Sequence, residues 1–361
     1  MRLERWTLHA YALPYARAIT WSHHAEGEAT YLMLRVISRE GPAGVAEVTV
    51  KPQWNGVSLR SLTAALEDVL LPRLRDVDLA SAEAVDAAMA AIPENRAARA
   101  LVDNACWDLR AAAAGRPLWQ LWNGAPRVPL SWTLTRQSPE RMAREAEVQV
   151  ARYGFRTLKV KGGQGIDVDV AAVRTVRAAV GDGVRCYVDA NWAYRAEETL
   201  DYAAALAHAG AFLLEDPCVL RPNEAFATLS ARSSLPLLVD FACASHDDAE
   251  LFFERGARAV SIKPSRIGLS ESRRVRETAH MRGAITVAGL YGESALGSLS
   301  ALQLEATRGP RDLPAELSHH LQLEERVATL PRIEGGEAQL PSSAGLSELV
   351  DWERVQRLAI H

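Results

Sequence analysis

The sequence predicts an α/β fold, a closed (β/α)₈ barrel, from three observations. From Val128 onward, short apolar runs alternate with segments that have the apolar spacing of helices. The apolar runs lack polar alternation, which is typical of parallel strands covered on both faces. Most runs also end in an ionisable residue, so the charges gather at one end of the barrel. A doubly wound open sheet is the alternative for the same pattern.

The first third of the chain has a different pattern, which predicts an α+β module over residues 1–125. Two strand-like runs, TYLMLRVIS and GVAEVTV, flank the turn-rich REGPA. Three helical patterns follow, and the last ends at Gly115 with Pro117 beyond it. The segment 321–361 ends in the helical pattern DWERVQRLAI, and we expect this tail to return to the first module.

The barrel region, residues 126–320, contains eight predicted strands, and a helical pattern follows nearly all of them. The strands are VPLSWTL, RTLKVK, VRCYVDAN, AFLLEDP, LPLLVDFA, ARAVSIKP, AITVAG and DLPAEL. Ionisable residues at or just past the ends of strands two to seven are separated by about one βα unit each. They therefore come round to the carboxyl ends of the strands, where active sites of such barrels lie.

Composition and charge exclude several classes of protein. The chain has 361 residues, of which 48% are hydrophobic and 24% charged, as in soluble globular proteins. A formal net charge of −4 argues against a nucleic-acid or membrane-surface role. There is no signal-peptide pattern and no membrane-length apolar run. The four cysteines lack C-x-x-C spacing, so they indicate buried thiols in a reducing cytoplasm.

Three carboxylates end consecutive predicted strands, Asp189, Glu215 and Asp240. Their mutual repulsion calls for a cation between them. None of the nine histidines or four cysteines falls in the same register, so the ligands are hard oxygen donors. Such donors favour Mg²⁺, with Mn²⁺ as the second choice.

Lysines flank the predicted metal site. In TLKVKGG, Lys159 and Lys161 are two residues apart on one strand and so share a face, and Lys263 ends strand six. A neighbouring ammonium and a divalent ion both lower the pKa of a lysine. We therefore expect a neutral Lys159 to take a proton from a carbon next to a carboxylate, with the metal stabilising the enediolate that forms.

Six motifs in order, TLKVKGG, YVDANW, LLEDP, LLVDF, SIKPSRIG and GESALGS, resemble the enolase superfamily, and within it the muconate lactonizing enzyme subgroup. The resemblance covers the whole chain. It implies a modified (β/α)₈ TIM-type barrel with an α+β capping domain formed by the N-terminal third and the C-terminal tail. It also implies a homo-oligomer and a small carboxylate substrate. The superfamily is known for a Lys or His base and Mg²⁺-stabilised enediolates.

The resemblance implies a role for each matching residue. Mg²⁺ would be held by Asp189, Glu215 and Asp240. Lys161 would contact the substrate carboxylate and lower the pKa of Lys159, and Lys159 and Lys263 would be acid/base groups on opposite faces of the substrate. Further site residues are Glu293, which matches the glutamate after strand seven in the cycloisomerases, and the substrate-contacting Thr133 and Asn191. Specificity would lie in cap loops around His23 and Trp54.

Three positions bear on the reaction. AGLYGES after strand seven has no histidine of the mandelate racemase type, and PAELSHH on strand eight lacks the Asp-x-Asp of dipeptide epimerases. Phe241 stands where an acidic residue usually follows the third ligand. The resemblance thus implies a muconate-type cycloisomerase. The alternatives are a racemase or epimerase of N-substituted amino acids, an o-succinylbenzoate synthase, and a non-catalytic barrel that binds a metal or carboxylate.

Overall fold

The computed structural model describes residues 1–22, 24–92 and 94–360. Its strands form two three-stranded sheets and one seven-stranded parallel sheet. Among the helices within these ranges, none has an apolar stretch long enough to cross a membrane.

The cap is built on the antiparallel sheet β1 (Leu3–Trp21), β2 (His24–Ser38) and β3 (Ala43–Val50). Sequence analysis predicted only the last two strands. The long β1 was missed because its alternation of buried and exposed residues is interrupted between Pro14 and Ile19, where its register with β2 shifts. Its second half carries Ile19 and Trp21 toward the barrel.

Six helices complete the N-terminal part: α1 Pro52–Asn55, α2 Leu59–Ala64, α3 Leu71–Arg73, α4 Ala82–Ala90, α5 Arg96–Ala114 and α6 Leu118–Leu121. A π-helical stretch at Ala65–Leu70 and a 3₁₀ turn at Leu74–Asp76 flank α3. The long α5 packs directly on β3 at Gly44. A Cβ atom at Gly44 would lie 2.1 Å from the carbonyl oxygen of Ala105, so only glycine permits this close approach.

Seven parallel strands form the barrel wall in chain order: β5 Trp132–Leu134, β6 Thr157–Lys161, β7 Arg185–Asp189, β8 Ala211–Glu215, β9 Leu237–Val239, β10 Ala259–Ile262 and β11 Ile285–Ala288. The predicted strand DLPAEL closes the barrel. Its Leu313 and Glu316 N–H groups donate to the Thr286 and Ala288 carbonyls of β11, and Ala315 exchanges hydrogen bonds with Pro129 and Ser131 before β5. The closed barrel is therefore confirmed, and the open sheet is excluded.

The barrel helices are α7 Pro139–Tyr153, α8 Ile166–Val180, α9 Thr199–Ala209, α10 Glu224–Arg232, α11 His246–Glu254, α12 Pro264–Ile267, α13 Leu269–Met281 and α14 Ala295–Glu305. Short 3₁₀ turns lie at Ala196–Glu198, His319–Gln322 and Leu346–Leu349. Serine side chains cap α7, α11 and α14. The helices pack over the wall strands and form one large apolar core with them.

The C-terminal tail contacts both parts of the molecule. Its strands β12 (Arg332–Glu334) and β13 (Glu337–Gln339) form a sheet with β4 (Arg127–Pro129), which is the first half of the predicted strand VPLSWTL. Farther along, the Ile360 N–H donates to the Ala10 carbonyl of β1 over 3.0 Å, just beyond the last helix, α15 (Trp352–Arg357). The tail thereby lies against the cap sheet.

Candidate active site

The ionisable residues predicted at strand ends meet at one end of the barrel. Lys161 is in register with Asp189 on the next strand, and Asp189 is in register with Glu215. Asp240 follows β9 directly. All four side chains are buried, so their charges interact in a medium of low polarity.

Lys159 lies deepest, at the centre of the carboxylates. Its Nζ is 2.8 Å from Glu215 Oε1, 2.8 Å from Glu316 Oε2 and 3.0 Å from Asp189 Oδ2. Burial lowers the pKa of Lys159, but the attraction of these carboxylates outweighs burial and raises that pKa well above its ordinary value. In the metal-free protein the pKa of Lys159 is thus raised and not lowered, because the carboxylates, and not Lys161, dominate its surroundings.

The pKa values of the three carboxylates differ in how strongly the lysines lower them. Burial raises the pKa of Asp189, but Lys159 and Lys161 outweigh it and hold that pKa below its ordinary value. For Asp240, Lys263 and Lys159 likewise outweigh burial and lower the pKa. Glu215 has the opposite balance, since burial and the charge of Asp189 raise its pKa well above the ordinary range. The lysines thus outweigh burial and repulsion at Asp189 and Asp240 but not at Glu215.

Lys161 points toward an open cavity. Its Nζ donates to Asp189 Oδ2 at 2.6 Å and to Asn191 Oδ1 at 3.3 Å. The glycine pair after it lets the chain turn away in a confined space. Gly163 has φ +80°, and a Cβ there would lie 2.2 Å from Arg136 Nη2.

Lys263 approaches the same cavity from the other side of the barrel. Its Nζ donates to Asp240 Oδ2 and lies 5.1 Å from the centre of the Trp54 ring. Its stem runs past Gly289, where a Cβ would lie 2.9 Å from Lys263 Cε and 2.1 Å from Ser261 Oγ. Glycine at 289 is therefore required for the path of this lysine.

The cavity has an empty volume of about 570 Å³ and lies between cap and barrel. The barrel lines it with Thr133, Thr135, Lys161, Asn191, Asp240 and Lys263. The cap lines it with Ile19, Trp21, Lys51 and Trp54. Tyr291 and His319, from loops after β11 and after the closing strand, complete the wall.

Within the described ranges, two buried carboxylate oxygens of the predicted metal site accept no hydrogen bond. They are Asp240 Oδ1 and Glu215 Oε2, although the latter lies 2.8 Å from Lys159 Nζ. Such oxygens are costly to bury unless a donor or a cation compensates them. Together with Asp189 they supply the hard oxygen donors that Mg²⁺ prefers, so the residues present fit a divalent ion.

A second acidic group lies elsewhere in the described ranges. His246, Asp247 and Glu250 have ligand atoms within 4.8 Å of one another at the start of α11, but Asp247 is exposed. Asp189 and Glu215 share the Lys159 ammonium, at 3.0 and 2.8 Å, whereas Asp240 pairs with Lys263.

The other predicted site residues differ in position. Thr133 and Asn191 both line the cavity. Glu293 does not: it is buried behind the loop, where it accepts hydrogen bonds from Ser265 Oγ at 3.1 Å and from the Tyr291 N–H at 2.9 Å. His23 lies outside the described residues, and Trp54 lines the cavity.

Phe241 takes part in an aromatic cluster at the cavity mouth. Its ring centre lies 4.5 Å from that of Trp192 and 5.2 Å from that of Trp54. Its N–H donates to Asp216 Oδ2 at 2.8 Å. Phe241 thus places an aromatic ring where the resemblance implies an acidic side chain, and Lys263 pairs with Asp240.

Glu316, His319 and Lys51 are among the site residues that sequence analysis missed. Glu316 ends the closing strand in the same register as the other acids and could have been found by the same reasoning. It accepts hydrogen bonds from Lys159, from Tyr187 and from the Leu290 N–H. His319 follows it by three residues, within the quoted PAELSHH. No sequence pattern indicated Lys51, because its position at the cavity depends on how the cap packs against the barrel.

Two family models match the chain. Residues 7–122 match the mandelate racemase / muconate lactonizing enzyme N-terminal domain, and residues 141–354 match the enolase C-terminal domain-like family. The second match alone covers more than half of the chain.

Similar proteins carry out several reactions. The chain is 28% identical to muconate cycloisomerase 1-2 of Acinetobacter lwoffii, over 91% of this chain and 88% of that protein. It is 29% identical to o-succinylbenzoate synthase of Geobacillus stearothermophilus, over 90% and 88%. A solved dipeptide epimerase of Enterococcus faecalis V583, complexed with Mg and L-Leu-L-Tyr, superposes with a TM-score of 0.89, at 25% identity and covering 96% of this chain and 99% of that one. The chain therefore belongs to the enolase superfamily, in its muconate lactonizing enzyme-like subgroup, and is an isomerase or lyase of that family.

Proposed function

We propose that the protein is a Mg²⁺-dependent lyase or isomerase that forms and protonates the enolate of a small carboxylate, most closely by a muconate-type cycloisomerisation. The observation that carries this proposal is the cavity itself. Lys161 and Lys263 enter it from β6 and from the end of β10, and Asp240 lies between them in chain order. A substrate held there has an ammonium-bearing side chain on each of two sides.

The proposed metal ligands are Asp189, Glu215 and Asp240, with Mg²⁺ as the ion and Mn²⁺ as an acceptable substitute. The Asp240 Oδ1 oxygen, which accepts no hydrogen bond within the described part of the chain, supports this assignment. So does the related epimerase, whose structure contains Mg. A bound divalent ion supplies positive charge beside the substrate carboxylate, which makes the neighbouring C–H more acidic and stabilises the enolate.

The proposed division of labour differs from the sequence-based one. Lys161 and Lys263 face the cavity and exchange the proton at the carbon next to the carboxylate, whereas Lys159 does not line the cavity. Lys159 instead neutralises Asp189, Glu215 and Glu316 and holds them in place. In a cycloisomerisation, one carboxylate of the substrate adds to a conjugated double bond, and one lysine then delivers a proton to the enolate carbon. The other lysine stabilises the enolate by its charge.

A racemase or epimerase of N-substituted amino acids is the second candidate. It is favoured by one observation, that both lysines line the cavity, because a racemase needs one group to remove the proton and another to return it. The missing Asp-x-Asp on the closing strand argues against dipeptide substrates. o-Succinylbenzoate formation remains a further alternative, and a non-catalytic barrel is the alternative of another class.

The test is a screen of carboxylates with the Mg²⁺-loaded enzyme in D₂O. The panel contains cis,cis-muconate, N-succinyl and N-acetyl amino acids of both hands, and the precursor of o-succinylbenzoate. We expect at least one compound to be converted with deuterium entering at the carbon next to a carboxylate. Conversion should fall about 10²–10⁴-fold in Lys161→Ala and Lys263→Ala, and should stay unchanged in the matched surface variant Arg332→Met. If no compound of the panel is converted and none takes up deuterium, the proposal is contradicted and the binding barrel is favoured.

A further inference from the structure

Asp169 is a buried residue of α8 for which the proposed function gives no role. It lies in the first turn of the helix, and 1% of its surface is exposed. Burial of a carboxyl group is costly unless hydrogen bonds compensate it. Asp167, two residues earlier in the same turn, is exposed. The fold therefore turns Asp169 inward and leaves its neighbouring aspartate in solvent.

Four donors surround the Asp169 carboxyl group, and they come from two loops and a helix. Oδ2 accepts hydrogen bonds from the Gly163 N–H at 2.7 Å and from the Tyr194 hydroxyl at 2.5 Å. Oδ2 also accepts one from the Tyr202 hydroxyl of α9 at 2.7 Å, and Oδ1 accepts one from the Gln164 N–H at 3.1 Å. Gly163 and Gln164 belong to the loop after β6, whereas Tyr194 belongs to the loop after β7. One side chain thus joins the two loops.

The loop after β6 packs tightly against this carboxyl group. A Cβ atom at Gly162 would lie 2.7 Å from Asp169 Oδ2 and 2.9 Å from the Tyr202 hydroxyl oxygen, so only glycine fits there. The Gly162 N–H donates to the carbonyl of Asp189 at 2.8 Å. Gly162 directly follows Lys161 in the chain. The backbone that carries Lys161 is therefore held against Asp169 within one residue of the lysine.

Tyr194 holds the loop after β7 in a similar way. Its N–H donates to the Pro217 carbonyl at 3.1 Å, and its hydroxyl accepts a hydrogen bond from the Gly165 N–H at 3.2 Å while donating to Asp169. Three residues before it, Asn191 has a φ of +47°, in the left-handed region that few residues other than glycine adopt. Surrounding contacts must hold such a residue in place. Tyr194 supplies contacts of this kind close to Asn191.

The Lys161 ammonium depends on both loops. Its hydrogen-bond partners Asp189 and Asn191 lie at the end of β7 and in the loop after it. The backbone of Lys161, by contrast, leads into the loop after β6. The position of the ammonium relative to its partners is therefore set where Asp169 joins the two loops. Asp169 itself does not line the cavity.

We propose that Asp169, with Tyr194, positions the Lys161 ammonium for proton transfer at the substrate. Both are positioning residues, since neither lines the cavity, and they act by fixing the loops that carry Lys161 and Asn191. Without the Asp169 carboxyl group, the two loops move independently and the ammonium samples several positions. This inference rests on the proposed function, since that function makes Lys161 a proton-transfer group.

The variant Asp169→Asn tests this role. An amide keeps the size of the carboxyl group, but its NH₂ group cannot accept a hydrogen bond. At least one backbone N–H of the loop after β6 therefore loses its acceptor. Tyr194→Phe removes one donor and keeps both the ring and Asp169. The matched control is Asp167→Asn, which makes the same chemical change at the exposed position of the same helical turn.

Lysine spectroscopy measures the outcome without a substrate. The chain contains four lysines, Lys51, Lys159, Lys161 and Lys263, so lysine labelled with ¹³C at Cε gives four side-chain signals, which replacement of each lysine by arginine assigns. In the full-length protein with Mg²⁺ in excess, the two Hε protons of Lys161 should have separate chemical shifts, because a fixed side chain holds them in different surroundings. This separation should be lost in Asp169→Asn, reduced in Tyr194→Phe and retained in Asp167→Asn. The other three lysines should keep their shifts in every variant.

Kinetics give a second readout with any substrate that the carboxylate screen identifies. Asp169→Asn should lower kcat about 10–10²-fold and change KM by less than about twofold, because a misplaced proton-transfer group weakens the transition state more than it weakens binding. Asp167→Asn should keep the wild-type kcat.

Several outcomes would overturn the inference. Either a Lys161 signal or a kcat that stays at the wild-type value in Asp169→Asn would refute it. So would a change in all four lysine signals together, because that indicates a general loosening of the fold. If Asp169→Asn does not fold, Tyr194→Phe decides by the same criteria. If the wild type converts no acid of the panel, the proposed function fails together with the proton-transfer role, whereas the lysine spectra still decide whether Asp169 fixes the Lys161 ammonium.

Discussion

Glu47 connects cap and barrel through a buried carboxylate whose protonation should control stability. It lies on β3 and accepts hydrogen bonds from the Tyr11 hydroxyl, from Ser294 Oγ and from the Ser294 N–H. Burial is the largest influence and, despite these hydrogen bonds, raises its pKa from 4.5 to about 7. The negative charge of Glu293 adds to this shift.

The raised pKa gives the sign of the pH dependence. The folded protein holds the Glu47 proton up to about pH 7, whereas the unfolded chain releases it near pH 4.5. The resulting stabilisation is fully present below pH 4.5 and is lost as the pH rises through 7. Integration over these two pKa values gives a loss of about 2.5 kcal/mol between pH 5 and pH 8.

The variant Glu47→Gln isolates this contribution. A glutamine keeps the acceptor for the Ser294 N–H, and its NH₂ group can donate to the Tyr11 and Ser294 hydroxyl oxygens. From pH 5 to pH 8 the wild type should therefore lose about 2.5 kcal/mol of unfolding free energy that Glu47→Gln keeps. Urea unfolding at both pH values measures this, with the exposed Glu277→Gln as the control. A difference between wild type and Glu47→Gln that is the same at both pH values would refute the reasoning.

Three further predictions concern the site. Lys159→Met leaves buried carboxylates without a counter-ion, so the metal-free protein should lose about 3–5 kcal/mol of unfolding free energy. Added Mg²⁺ should restore part of this stability in thermal denaturation. A melting temperature that Mg²⁺ leaves unchanged would contradict this. Arg136 donates to the carbonyls of Gly162 and Ser22, so in Arg136→Met amide exchange over residues 17–22 should speed up while exchange in α5 stays constant. Gly163→Ala should destabilise the protein by about 1–3 kcal/mol through the left-handed backbone and the clash with Arg136; wild-type stability would argue that the loop is free to shift.

The charged end of the barrel could be predicted because register does not depend on packing detail. Parallel strands of one barrel end on one face, so Asp189, Glu215, Asp240 and Lys263 had to converge. The roles of Lys159 and Lys161 were harder to assign, since both lie on the same face of β6. Each residue of a strand advances about 3.3 Å. Lys161 therefore lies nearer the cavity than Lys159, and this order could have been read from the sequence.

The contributions of the cap could not be predicted in the same way. Lys51 and Trp21 reach the cavity only because the cap sheet docks over the barrel, and no local periodicity encodes that approach. His319 follows the short closing strand, which is held in place by a few hydrogen bonds to the strands on either side. The direction of the His319 side chain therefore depends on how the barrel closes. Contacts between distant segments are set by packing, and here they decide which side chains reach the cavity.

Diffraction from Mn²⁺-loaded crystals at the manganese absorption edge tests the central claim most directly, since it locates the ion without any assumption about the substrate. We predict one strong anomalous peak, bound by carboxylate oxygens of Asp189, Glu215 and Asp240 and facing the cavity. The Lys159 ammonium should withdraw from the oxygens that the ion takes. A peak at His246, Asp247 and Glu250 with none at the barrel mouth would contradict the account.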